Sequence, residues 1–179
     1  ITNLNELSMN YDHLNVDRLR QNRFYAKDLE VAEDISYPVP LGVRDVLGDQ
    51  SGVMSGIINS DPVISNYHPD SYRFFAQVTP YHVHVKLGHF NSMAWVTDMA
   101  TGLPVADAVV SLYPDYYNSL NEQPENAIRA VTGADGIALL PGTVDIDPEL
   151  QFASYYGYDE DRFFVRVEKG EDMALLPLD

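Results

Sequence analysis

Cysteine is absent from this chain. Its absence removes disulfides, thiol nucleophiles and zinc–thiolate sites from consideration. It leaves the redox compartment open, because a cysteine-free domain is stable in either setting. Positive charge is scarce: 11 Lys and Arg stand against 27 Asp and Glu, a formal net charge of −16. Such a surface repels nucleic-acid phosphates and anionic lipid headgroups, and no local cluster of Lys and Arg offsets it. DNA and RNA are therefore poor partners, and no direct membrane insertion is expected, since no apolar run approaches the ~20 residues of a helical span. The phosphate-cradling G-x-x-x-x-G-K and G-x-G-x-x-G loops, the H-E-x-x-H zinc motif and the G-x-S-x-G nucleophile turn are all missing. No leader segment is visible, and Ile1 is not an initiator methionine, so the chain reads as a piece trimmed from a longer polypeptide.

What is present points to sheets. The chain has 179 residues, 45 % of them apolar, with 12 Tyr and 7 Phe. That is enough for one domain with its own core, or one domain with an extension. Aromatic and β-branched residues fall together in short runs, as strands require.

The chain divides by texture near residue 70. In residues 1–70, Leu4, Leu7, Tyr11, Leu14 and Leu19 follow helical spacing, so a short helix is expected over 14–21, and a strand over 24–31. Residues 31–70 are punctuated by Pro38, Pro40, Gly42, Gly48, Gly52, Gly56, Pro62 and Pro69 and read as an extended arm with brief strands and no independent core. From residue 71 to 179, strand-like runs recur about every ten residues, the pattern of a sandwich or barrel. Expected strands are 73–78, 81–87, 93–98, 108–113, 127–131, 137–140, 152–156, 163–168 and 172–176. Alternation places Tyr81, Val83, Val85 and Leu87 on one face and His82, His84 and Lys86 on the other. Asp135-Gly136 between apolar runs is a hairpin signal. Thr101-Gly102 marks another reversal, with Pro104 at a strand entrance. The expected fold is an all-β antiparallel sandwich over 71–179, with a loop-rich N-terminal extension over 1–70 that is its own segment or the end of a preceding domain.

Few residues offer chemistry. His82 and His84 share a strand face, and with His89 nearby they form a candidate three-imidazole metal site. The plainer reading is a solvated face beside Lys86. His13 and His68 stand apart. Asp145, Asp147 and Glu149 alternate in a way compatible with calcium, but the EF-hand spacing is absent and solvated loop charges explain them equally well. Ser51-Gly52 and Ser55-Gly56 lack the strand-to-helix setting of a nucleophile. Trp95, the one tryptophan, is expected to anchor the core. The Tyr-rich stretches 113–117 and 155–158 are candidate contact surfaces. No catalytic, cofactor-binding or metal residue is assigned, and no cofactor is expected.

One ordered set of motifs carries a resemblance. Val78-Thr-Pro-Tyr-His-Val-His-Val-Lys-Leu-Gly-His-Phe-Asn runs into Trp95-Val-Thr-Asp-Met-Ala-Thr-Gly-Leu-Pro-Val-Ala-Asp-Ala-Val-Val-Ser-Leu-Tyr. Thr132-Gly-Ala-Asp-Gly-Ile-Ala-Leu-Leu-Pro-Gly and Gly170-Glu-Asp-Met-Ala-Leu-Leu-Pro-Leu follow. With the upstream Val39-Pro-Leu-Gly-Val-Arg-Asp-Val-Leu, residues 35–179 resemble a macroglobulin-like domain from the N-terminal half of bacterial α2-macroglobulins, the one called MG3. The resemblance implies a non-catalytic structural module of a protease-trapping inhibitor in the periplasm or cell envelope. Its partners would be neighbouring domains of the same parent chain and, through the whole parent, target proteases. A thioester, where such a parent has one, lies elsewhere, because this piece has no cysteine. The alternative is an adhesin-type or carbohydrate-binding sandwich repeat of a cell-surface protein. Those repeats often carry an isopeptide bond, for which this chain supplies only Lys27, Lys86 and Lys169 and no Asn after Asn126.

Overall fold

Period-two alternation is realised as antiparallel strands along most of the chain. The computed structural model describes residues 6–15, 18–28, 40–61, 71–116, 126–151 and 161–178. Its strands are β1 (Glu6–Asn15), β2 (Arg18–Asp28), β3 (Gly52–Asp61), β4 (Ser71–Val78), β5 (Tyr81–Lys86), β6 (Asn91–Asp98), β7 (Val109–Tyr116), β8 (Ile128–Val131), β9 (Ile137–Pro141), β10 (Asp161–Lys169) and β11 (Asp172–Leu178). One short helix, α1 (Val43–Leu47), and a 3-10 turn at Thr143–Asp145 complete the described elements. They form sheet A, in the order β2-β1-β3-β4; sheet B, β5-β6-β9; and sheet C, β11-β10-β7-β8. All strand pairings among the described residues are antiparallel.

Sheets B and C make the sandwich. Tyr81, Val83, Ala94, Val96, Ala138 and Leu140 point inward from sheet B. They meet Val110, Leu112, Phe163, Val165, Val167 and Ala174 from sheet C. Small residues share this core with the large ones: Ala94, Ala108, Ala138 and Ala174 are fully buried. Each large apolar side chain fully buried this way contributes about 1.5–3 kcal/mol.

Sheet C is covered on its other face as well. Tyr113, Phe164, Met173 and Leu175 point away from the sandwich core and pack with Val53 of β3 and Phe75 of β4. Sheet A therefore lies over sheet C, and β10 is buried on both faces from Phe163 through Val167. Sheet A in turn holds a smaller core on its far side. There Met54 is fully buried among Ile58, Phe74, Ala76 and the α1 residues Val43 and Val46. The order of layers is α1, sheet A, sheet C, sheet B.

Several expectations change here. The helix expected over 14–21 does not form: residues 14–15 end β1 and 18–21 begin β2, with Asn15 opposite Arg18. β1 is hydrogen-bonded on both sides, to β2 and to β3, and this ladder outweighs a helical stripe of modest propensity. The strand expected over 24–31 begins earlier, at Arg18, and residues 29–31 lie outside the described residues. The arm at 31–70 was expected to lack a core. In its described part, β3 is instead an interior strand of ten residues, and α1 closes a cluster around Met54. Asp135-Gly136 forms a turn but no hairpin, since β8 belongs to sheet C and β9 to sheet B. Gly136 takes φ +75 there, with the Val96 carbonyl and Pro104 packed where a Cβ would sit, so the turn is built to change sheets. The reversal at Thr101-Gly102 forms as expected, and Pro104 makes an isolated bridge to Thr97. The expected strand at 152–156 lies outside the described residues.

Candidate interaction surfaces

Two surfaces have the chemistry of docking. The first is the seam between sheets A and C. Apolar contact among Val53, Phe75, Tyr113, Phe164, Met173 and Leu175 is framed by polar ties. The Ser51 hydroxyl donates to the Asp172 carboxylate at 2.7 Å. The Leu175 amide, on the free edge of β11, donates to Gln77 Oε1 of β4 at 3.1 Å, which caps an edge donor that otherwise invites pairing with another chain. Inside the seam, Arg166 is 5 % exposed and its Nη2 lies 2.6 Å from Glu168 Oε1. Arg166 also hydrogen-bonds the Tyr113 phenol. Burial pushes the Tyr113 hydroxyl far above the usual tyrosine range, and the Arg166 charge pulls it back only in part. Tyr81, at the sandwich end of the seam, is raised too, first by burial and then by Asp172 and Asp98.

The second surface is the outer face of sheet B. Cross-strand register places three side chains in each of two adjacent rows: His84, Trp95 and Ile137, then Lys86, Met93 and Leu139. The His84 and Trp95 rings stack at 5.6 Å, and the His82 ring meets His84 edge-on at 4.4 Å. Trp95 is 40 % exposed and Leu139 75 %. Phe90, in the turn between β5 and β6, is 80 % exposed and packs edge-on to His89 at 5.0 Å. Trp95 thus corrects the expected core anchor. Ala94 and Val96 take the inward positions of β6, and the pleat turns Trp95 outward. Leu139 was missed as a surface residue. The signal was available, since Ala138 and Leu140 flank it at core positions as Ala94 and Val96 flank Trp95.

The candidate chemical residues do not converge. His89 sits beyond the end of β5 with Nδ1 3.2 Å from Thr143 Oγ1, not with His82 and His84. No group of three or more His, Cys, Asp or Glu suited to a metal exists among the described residues. Asp147 is buried and accepts the Gln151 amide at 2.7 Å, closing a turn, while Asp145 is exposed. Ser51 is engaged with Asp172, and Ser55 is buried within β3. Tyr113, expected as an exposed contact, is 1 % exposed within the seam, because Phe164 and Met173 surround it beneath sheet A. Tyr155, Tyr156 and Tyr158 lie outside the described residues, as does His68. Lys169 donates to the Ala106 carbonyl at 2.8 Å.

No protein-family model matches the sequence, and no curated protein sequence matches it either. Solved structures do match. One is native α2-macroglobulin of Escherichia coli spanning domains NIE-MG1, at 14 % identity and TM-score 0.57, covering 98 % of this chain and 85 % of that one. Another spans domains MG0-NIE-MG1 of the same protein, at 16 % identity and TM-score 0.59. It covers 99 % of this chain, which spans 56 % of that longer one. At such identity the likeness is one of fold. The chain has a macroglobulin-like β-sandwich fold, and the assignment to MG3 gains no support from these neighbours.

Proposed function

We propose that this chain is a non-catalytic structural module of a bacterial α2-macroglobulin-like protease-trapping inhibitor of the periplasm or cell envelope, and that it occupies the NIE-MG1 position. The observation that carries the reading is the extent of the match. It takes in the N-terminal sheet as well as the sandwich, 98 % of this chain and 85 % of the two-domain fragment. A single sandwich repeat shared by unrelated surface proteins gives no reason for sheet A to be matched too. The geometry agrees with a scaffold: Ser51 and Asp172 tie two layers, Asp147 closes a turn, and Trp95 and Leu139 lie exposed on one flat face of sheet B. Its partners are neighbouring domains of the parent chain, and it meets target proteases only through that parent.

The test is a protease assay on two proteins, the chain alone and the full-length product of its gene. Stoichiometric protection of a large protein substrate by the full-length product, with none from the chain alone, is the expected result. Inhibition by the chain alone, or no inhibition by the full-length product against a panel of endopeptidases, overturns the reading.

A further inference from the structure

Sheet C is covered on both faces, and β3 and β4 of sheet A pack between sheet C and α1. The outer face of sheet B meets no other described element, and its central side chains stay exposed. Its charge is opposite to that of the chain as a whole. In a protein of net charge −16, the formal charge among the outward positions of β5 (His82, His84 and Lys86) is that of Lys86, and the outward positions of β6 and β9 in the rows from Asn91 to Trp95 and from Ile137 to Pro141 carry no carboxylate. An apolar centre of Trp95, Met93, Ile137 and Leu139 with Lys86 at its margin fits a surface that brings its own apolar centre and a carboxylate at its edge.

The size of the face narrows the occupant further. Three strands and four rows of side chains span about 14 Å by 20 Å, or about 300 Å2. A stable pair of free proteins buries about 800 Å2 on each side. A second copy is disfavoured for another reason: a two-fold interface must be complementary to itself, and this face carries no carboxylate of its own to set against Lys86. A contact of this size is held where a covalent tether supplies a high effective concentration.

We infer that the outer face of sheet B, centred on Trp95 and Leu139, seats another domain of the same polypeptide, which lays carboxylates against Lys86. The inference rests on the reading of the chain as one module of a longer protein. It adds the face that is used and the chemistry of the domain that covers it.

Hydroxyl-radical footprinting read by mass spectrometry tests it, on this chain alone and on the full-length product of its gene. Buried Met173 supplies the slow reference rate and exposed Met99 the fast one. Trp95 and Met93 are expected to oxidise about fivefold more slowly in the full-length protein, as for side chains from which a docked partner excludes water. Lys86→Glu in the full-length protein is expected to return Trp95 toward the rate of the isolated chain, and Lys86→Arg to leave it slow. Equal Trp95 rates in the two proteins overturn the inference, as does unchanged protection in the Lys86→Glu protein. Slow oxidation of Trp95 in the isolated chain that speeds up on dilution identifies a second copy as the occupant and also overturns it. A full-length product that traps proteases while Trp95 stays reactive keeps the proposed function and rejects this face. A product that protects Trp95 but traps nothing does the reverse.

Discussion

Ser51 and Asp172 are 121 residues apart in sequence and joined by a 2.7 Å hydrogen bond. Ser51 directly precedes β3, and Asp172 opens β11, so this contact ties the start of an interior strand of sheet A to the edge strand of sheet C. Removing one partner of a part-buried bond to a charged group costs about 1.5–3 kcal/mol. Ser51→Ala is therefore expected to lower the denaturation free energy by that amount. Asp172→Ala in the same background should add little more, because the two side chains act as one unit. A double-mutant cycle by urea denaturation measures the coupling, and full additivity would show that the contact does not form in solution.

Packing between layers separates two classes of apolar residue. Phe164 and Met173 are buried in the seam, whereas Leu139 lies on the open face of sheet B. Phe164→Ala is expected to destabilise by about 3–5 kcal/mol and Met173→Ala by about 2–5 kcal/mol. Leu139→Ala should stay within about 0.5 kcal/mol of the parent chain, as for most surface changes. Thermal melts of the three variants check the ranking. A Leu139→Ala loss as large as that of Met173→Ala would mean that sheet B is covered within this chain.

Two glycines with nearly equal φ should respond differently. Gly102 has φ +71 with open space where a Cβ would be, while Gly136 has φ +75 and meets the Val96 carbonyl and Pro104. Gly102→Ala carries the cost of left-handed backbone alone, about 1 kcal/mol. Gly136→Ala adds a clash with backbone and is expected to cost clearly more, at least about 2 kcal/mol. Equal losses, measured by chemical denaturation, would remove the close approach of the turn to β6 as the reason for glycine there.

The buried Tyr113 phenol sets a response to alkali. Its folded pKa lies above the ordinary 10.0, chiefly through burial. Below pH 10 the hydroxyl is protonated in folded and unfolded chains alike, and its contribution to stability is intact. Above pH 10 the unfolded chain ionises while the folded one keeps its proton, so stability falls as pH rises. The melting temperature is expected to drop between pH 10 and 12, and Tyr113→Phe should flatten part of that drop. A variant that follows the parent curve throughout would assign the alkaline loss to other groups.

Strands were the legible part of this fold. Tyr81–Lys86 and Asn91–Asp98 lie close to where alternation places them, because the inward positions of each are buried and the period of two is largely preserved; Asp172–Leu178 also lies close to its expected place, although Met173, Ala174 and Leu175 are buried on both faces. Assignment of strands to sheets was not legible. Asp135-Gly136 specifies a local reversal, and the same dipeptide serves a hairpin or a crossing between sheets. Only the packing of Gly136 on Val96 and Pro104 decides which. Residues 14–21 read as helical because Leu14 and Leu19 continue a helical stripe, and the pairing of β1 with β2 and β3 that holds the chain extended there is known only from the assembled sheet. Trp95 was misplaced for a different reason: size was weighed above position, although Ala94 and Val96 already determined the inward side. The seam was invisible from either half, since Val53 and Phe75 find Phe164 and Met173 across about a hundred residues.

That separation has a consequence during synthesis. β3 ends at Asp61, and β10, whose Phe164 it helps to cover, begins at Asp161. At about 5–20 residues per second, the N-terminal sheet waits on the ribosome for roughly 5–20 s before its counterpart emerges. Throughout that interval Val53 and Phe75 face water or a chaperone, which leaves this apolar seam open to aggregation until β10 has been made.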